Sequence, residues 1–271
     1  RPGYLGAIQA FSLYEPQFYS IPLLGDGPDT RVLSQVVDTY SPKLFYGIPN
    51  FQNPTGISYS KEKRREVAEI LSKNDTIFIE DDAYGELRFR GGDLPLVSSY
   101  IPDQGIIIGS FSKIIAPGMR MGWIATPPEI YSRVVTAKQA SDLHSNFLTQ
   151  RIIYKFLADN DIDLHIQQIR EVYRHQRDIM IKVIEETFPP DVTITRPEGG
   201  MFLWATLPRD FSTMELFNIA IKENVAFVPG DPFYTDGRNS NSMRLNYSNS
   251  DEERIVEGIT RLSRAVRKML K

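Results

Sequence analysis

Thr76-Ile77-Phe78-Ile79-Glu80-Asp81-Asp82-Ala83-Tyr84 is the stretch that decides the fold, because a run of strand-type residues passes directly into three consecutive acids. A short apolar run bounded by polar residues reads as a strand buried in a sheet. Upstream, Leu44-Phe45-Tyr46 is another such strand, ending at the Pro49 and Pro54 turns. Downstream, Ile106-Ile107-Ile108 is a third, followed by Gly109 and a polar turn. Between the first two lies a charged helical pattern, Lys61 to Ser72, which Ser60 can cap and whose inner stripe is Val67, Ile70 and Leu71. Strands alternating with helices predict an α/β fold around a mostly parallel sheet.

The pattern changes further along the chain. From Asp161 to Glu186, Ile169, Val172, Gln176, Ile179 and Val183 recur at helical spacing, which predicts a long helix connecting two domains. The strand Val192-Thr193-Ile194, the turn Pro197-Glu198-Gly199-Gly200 and the strand Met201 to Ala205 form a hairpin that opens a smaller α+β unit. In its last strand, Met243 to Tyr247, alternation puts Arg244 and Asn246 opposite Met243, Leu245 and Tyr247. The final helix opens with a capping box, Ser250 to Glu253, and turns Ile255, Ile259, Leu262 and Val266 inward. The division expected is a large domain over 1–165 and a connecting helix with a small domain over 166–271.

Composition narrows the function. With 41% hydrophobic and 24% charged residues among 271, the chain can bury a substantial core. A net charge of -3 gives this segment no reason to bind nucleic acid. There is no cysteine, and His144, His165 and His175 are scattered, so neither a disulfide framework nor a metal site is expected. No run approaches the roughly 20 apolar residues of a membrane span. A cytoplasmic setting fits. The first residue is Arg1, opening directly into Pro2-Gly3-Tyr4, and the chain reads as truncated.

Polar residues gather where apolar runs stop, which is where open α/β sheets bind ligands. In Asn53-Pro54-Thr55-Gly56, Pro54 biases Asn53 toward extended backbone and Gly56 permits a tight turn, so the Asn53 amide can be aimed rigidly. In isolation this is an ordinary turn. Asp81-Asp82-Ala83-Tyr84 puts carboxylates where burial is costly without a partner, and a protonated ring nitrogen would be a good one. In Ser110-Phe111-Ser112-Lys113, with Arg120 further on, hydroxyls beside cations make a phosphate site, and Lys113 would be pushed toward its neutral, nucleophilic form.

Asn-Pro-Thr-Gly (53–56), Asp-x-Ala-Tyr (81–84), Ser-Phe-Ser-Lys (110–113), Arg-Met-Gly (120–122), Gly-Gly-Met-Phe-Leu-Trp (199–204) and Met-Arg-Leu-Asn-Tyr-Ser (243–248) stand in one order. In these motifs the chain resembles the fold-type I pyridoxal-phosphate (PLP) enzymes. The likeness is to class I/II aminotransferases, in the branch with the 2-aminoadipate and kynurenine enzymes, and it covers essentially the whole chain.

The resemblance implies the PLP-dependent transferase fold and pyridoxal 5'-phosphate as cofactor. It makes Lys113 the lysine that holds the cofactor and Asp81, rather than Asp82, the partner of its ring nitrogen. Asn53 and Tyr84 hydrogen-bond the phenolic oxygen. Ser110, Ser112 and Arg120 hold the phosphate, Tyr4 stacks on the ring, and Arg244 binds the substrate α-carboxylate, with Asn53 also among the substrate-binding residues. Amino-acid and 2-oxo-acid substrates and a homodimer are implied as well.

Family members carry about another hundred residues before the Tyr4 segment, with further phosphate ligands and an arm completing pocket and dimer. A chain without them is expected to bind PLP weakly, and its activity depends on the missing part. Two rivals share the motifs: the PLP-sensing domain of a winged-helix transcription regulator, and a PLP lyase on the same fold.

Overall fold

The computed structural model describes residues 1–208 and 211–270. A first helix, α1 (Leu5–Ser12), precedes a small ribbon of β1 (Leu23–Leu24) and β2 (Gly27–Pro28). Then come α2 (Thr30–Tyr40), β3 (Leu44–Gly47), α3 (Lys61–Leu71), β4 (Ile77–Asp81), β5 (Gly105–Ser110) and β6 (Gly122–Ala125). The last four strands form one sheet in sequence order. β3, β4 and β5 run parallel, and β6 pairs antiparallel with β5. Parallel neighbours need a crossover, and α3 supplies it between β3 and β4.

Ser60 caps α3 as expected, its hydroxyl oxygen accepting from the Lys63 amide at 3.1 Å. Val67 and Leu71 are fully buried against Leu33, Val37 and Phe78, while Ile70 is only partly covered. The helix ends at Leu71, one residue short of the expected limit. Arg64 on the same helix is also fully buried. Its guanidinium donates to the carbonyls of Tyr59, Pro95 and Pro49 and to Asn50 Oδ1, which offsets the desolvation of the charge. Glu80, buried in β4, accepts from the amides of Val97 and Ser98.

The chain continues through α4 (Pro128–Asp142), α5 (Phe147–Asp159) and α6 (Ile162–Thr187). Asp161 caps α6 by accepting from the amides of Asp163 and Leu164. The residues that recur at helical spacing along α6 are not equally covered, and Val172 is 51% exposed. The helix serves two neighbours: Arg170 donates to the Glu86 carbonyl, and Met180, Ile181, Val183 and Ile184 enter the second core. Val172 faces neither.

Beyond α6 lie β7 (Thr193–Ile194), β8 (Phe202–Thr206), α7 (Thr213–Lys222), β9 (Val228–Pro229), β10 (Ser242–Asn246) and α8 (Glu252–Met269). The four strands form an antiparallel sheet in the order β7-β8-β10-β9. Leu203, Ala205, Met243, Leu245 and Tyr247 face the core formed with α6 and α8. Arg244 takes the opposite face, as alternation predicts, with its guanidinium 4.3 Å from the Phe202 ring centroid. In α8, Ile255, Ile259, Leu262 and Val266 are buried, as expected. The cap differs from expectation: Asp251, not Ser250, accepts from the Arg254 amide at 2.9 Å. The Ser250 carbonyl instead accepts from Gln176 on α6. Among the described residues no helix is long and apolar enough to cross a membrane.

Candidate active site

β4 ends at Asp81, and Asp82 directly after it takes different hydrogen-bond partners. Asp81 accepts from the Tyr46 hydroxyl on β3 at 2.6 Å and from the Ala83 amide. Burial pushes its carboxyl above the usual carboxylate range, and those two donors pull it back. Asp82 accepts from Asn50 Nδ2 at 2.7 Å. Burial, opposed by that bond, raises it to about 6; nearby Glu80 raises it further and Arg64 lowers it. Asp82 thus joins Arg64 through Asn50, and Asp81 stands apart from that network, held by Tyr46.

The turn at Asn53 is fastened on several sides. Gln52 Oε1 accepts from the amide and hydroxyl of Thr55, while its Nε2 donates to the Pro2 carbonyl, two residues before Tyr4. The buried Asn53 amide donates to the Tyr84 hydroxyl at 3.3 Å and accepts from Arg244 Nη1 at 2.8 Å. One side chain therefore bridges the turn after β4 and the second sheet. Burial raises the Tyr84 phenol well above its ordinary value, so it stays a neutral donor. Tyr4 packs at the edge of the apolar cluster of Ile48, Phe51, Tyr84, Leu87 and Phe202.

Gly56 allows this turn. It has φ +74°, and a Cβ there would lie 2.6 Å from the Phe202 carbonyl of β8. Gly56→Ala is expected to cost about 2–3 kcal/mol through strain and that clash, lowering Tm by roughly 5–10 °C in a thermal melt. A melt superimposable on that of the parent would show that the turn is not held against β8.

At the end of β5, Ser110 Oγ accepts from the Ser112 amide at 3.1 Å, tightening the turn that presents Lys113. The half-buried Lys113 makes no ion pair among the described residues. Burial lowers its pKa first, and the positive charges of Arg120 and Arg244 lower it further. Arg120 sits in the left-handed region at φ 52°, unusual for a non-glycine residue and common where a site imposes geometry.

Asp81, Lys113, Asn53, Tyr84 and Arg244 are thus linked by hydrogen bonds or mutual charge, with Tyr4 packed beside them. Arg244 keeps a buried Nε–H without a partner, as a side chain awaiting an anion would. The donor set fits PLP: a carboxylate for a protonated ring nitrogen, donors for an oxyanion, hydroxyls and a guanidinium for a phosphate, and a lysine with depressed pKa for an aldehyde. No group of three or more His, Cys, Asp or Glu side chains among the described residues could hold a metal.

Sequence reasoning did not single out Tyr46. The signal lay in the register, because Tyr46 pairs with Ile79 in the parallel ladder and Asp81 lies two residues on, on the same face.

The family of class I and II aminotransferases matches residues 3–262. The chain belongs to that family. Its fold is the family's α/β, fold-type I architecture, and its cofactor is pyridoxal 5'-phosphate. Aromatic-amino-acid aminotransferase 1 of Thermococcus litoralis is 40% identical over all of this chain and 66% of its own length. The crystal structure of LysN, the alpha-aminoadipate aminotransferase of Thermus thermophilus complexed with N-(5'-phosphopyridoxyl)-L-leucine, superposes with a TM-score of 0.96. It is 38% identical, with 99% of this chain and 70% of that one covered. An uncharacterized HTH-type transcriptional regulator of Bacillus subtilis, YisV, is 28% identical over all of this chain and 56% of its own length. The chain spans about two thirds of the length of the aminotransferases it matches.

Proposed function

We propose that the protein is an aminotransferase that moves the amino group of an amino acid to a 2-oxo acid, with PLP held on Lys113. The observation that carries the reading is Lys113 itself, half-buried at a strand end, without an ion pair, and beside two arginines that lower its pKa. Most lysines gain nothing from such a place; one that must attack an aldehyde and then move a proton does.

PLP, when bound, supplies a sink for the electron pair left as the substrate Cα–H bond breaks. The remaining work falls to this chain's side chains. With the cofactor bound, the Lys113 amine would act as general base on the substrate Cα proton. Asp81 holds the ring nitrogen's proton. Asn53 and Tyr84 donate to the phenolic oxygen, Ser110, Ser112 and Arg120 bind the phosphate, and Tyr4 covers the ring face. Arg244 receives the substrate α-carboxylate, its fork oriented by Asn53 Oδ1 and by the ring of Phe202.

Arg244→Lys keeps the charge and loses the fork, so KM for the amino donor should rise about tenfold with kcat little changed. An unchanged KM would remove Arg244 from the carboxylate site. The reading as a whole is tested by incubating PLP-loaded protein with amino acids and following amino transfer as each 2-oxo acid is added. Repeated turnover that depends on the 2-oxo acid supports it; consumption of many equivalents of amino acid per bound PLP without any 2-oxo acid would mark a lyase. A PLP-sensing regulator would bind the cofactor without turnover, and the higher identity to aminotransferases argues against it.

The same reading includes a homodimer in the cytoplasm that binds no nucleic acid through this segment. Trp123 and Ile124 on β6 and Phe147 and Leu148 on α5 are exposed apolar side chains that a second copy would cover. It divides the chain at 165/166, inside α6, whose early turns reach Glu86 and whose later turns pack on α8.

A further inference from the structure

Asp81 is an anion in surroundings that disfavour charge. Among the described residues it makes no ion pair, and the groups near it are phenols: Tyr46 from β3, Tyr4 from the segment before α1, and Tyr84 from the turn after β4. Burial acts against its ionised form, and its hydrogen bonds come from Tyr46 and the Ala83 amide. The bond from Tyr46 is short, 2.6 Å, and occupies Oδ2. Among the described residues no side chain donates to Oδ1.

Tyr46 is itself held on two sides. The parallel register between β3 and β4 places it opposite Ile79, so its ring lies on the face from which Asp81 projects. The Phe11 ring of α1 packs edge-to-face on it, with centroids 5.8 Å apart at 75°. Burial first, and the neighbouring Asp81 charge next, push the phenol far above its ordinary pKa. Tyr46 therefore stays neutral, with its hydroxyl as donor to Asp81.

We propose that Tyr46 is the positioning residue of Asp81: its hydroxyl fixes one carboxylate oxygen and keeps the group ionised, so that the other oxygen can hold the proton on the cofactor's ring nitrogen. The proposal rests on the reading of Asp81 as the ring-nitrogen partner. It adds a residue that touches neither cofactor nor substrate. Tyr46→Phe removes the donor while retaining the ring that packs on Phe11, which separates hydrogen bonding from packing.

The test uses the full-length protein loaded with PLP carrying 15N in its ring, observed by 15N NMR beside Tyr46→Phe, Asp81→Ala and Phe11→Leu variants. The parent is expected to show a protonated ring nitrogen. Tyr46→Phe should move the resonance toward the unprotonated position reached by Asp81→Ala, with kcat down about tenfold and KM for the amino donor within about twofold. Phe11→Leu should leave the resonance in place.

A Tyr46→Phe resonance identical to the parent's would overturn the proposal, as would Phe11→Leu shifting it equally, since packing alone would then account for the effect. A parent protein whose ring nitrogen is unprotonated, or which forms no link to Lys113, would instead defeat the underlying reading of the site.

Discussion

Lys113→Ala should lower amino transfer by about 10⁴-fold, the upper end of what one positioned base contributes, because the same amine also makes the covalent link to the cofactor. The fold should hardly notice. Lys113 is half-buried, makes no ion pair among the described residues, and carries a charge that burial and two arginines disfavour. Its removal leaves no buried partner unsatisfied, so Tm should stay within a few degrees of the parent's. A large rate loss with an intact melt is the pattern to look for. An equal loss of stability would mean that Lys113 supports the β5 turn rather than the chemistry.

Asp81→Ala is expected to lower kcat by about 10²–10³-fold, or roughly 2.7–4 kcal/mol of transition-state stabilisation. PLP affinity should fall less than about tenfold, because phosphate, phenolic-oxygen and ring contacts remain. The asymmetry follows from when the charge matters. A carboxylate holding the ring nitrogen's proton contributes most as electron density moves into the ring, and little to the resting complex. Asp82→Ala should behave differently. Asp82 accepts from Asn50, which in turn accepts from buried Arg64, so its loss should act on the melt. Kinetics and melts of the two neighbours, compared side by side, separate the roles. Equal loss of rate and PLP affinity in Asp81→Ala would contradict this one.

Much of the fold was legible because β3, β4 and β5 are short apolar runs set off by polar turns, and because α6 and α8 carry long periodic stripes. α4 has no buried residue and β6 is exposed along its length, so neither offers a pattern to read. The cap of α8 went astray for a related reason: periodicity finds the face of a helix, but neighbours decide which oxygen meets the first free amide. The candidate site was readable through its motifs, and the structure brings Asn53, Tyr84 and Arg244 into one hydrogen-bonded chain. Buried Arg64 and Glu80 could not be read this way, since their compensation comes from backbone groups far along the chain. Tyr46 became visible only once the register of β3 on β4 was known.

Attachment of PLP to Lys113 can be read by reducing the PLP-loaded full-length protein with borohydride, digesting it and locating the phosphopyridoxyl group by mass spectrometry. One modified lysine is expected, Lys113, in the peptide containing Ser110-Phe111-Ser112, and no modification in Lys113→Ala. A cofactor trapped on another lysine, or none trapped at all, would contradict it.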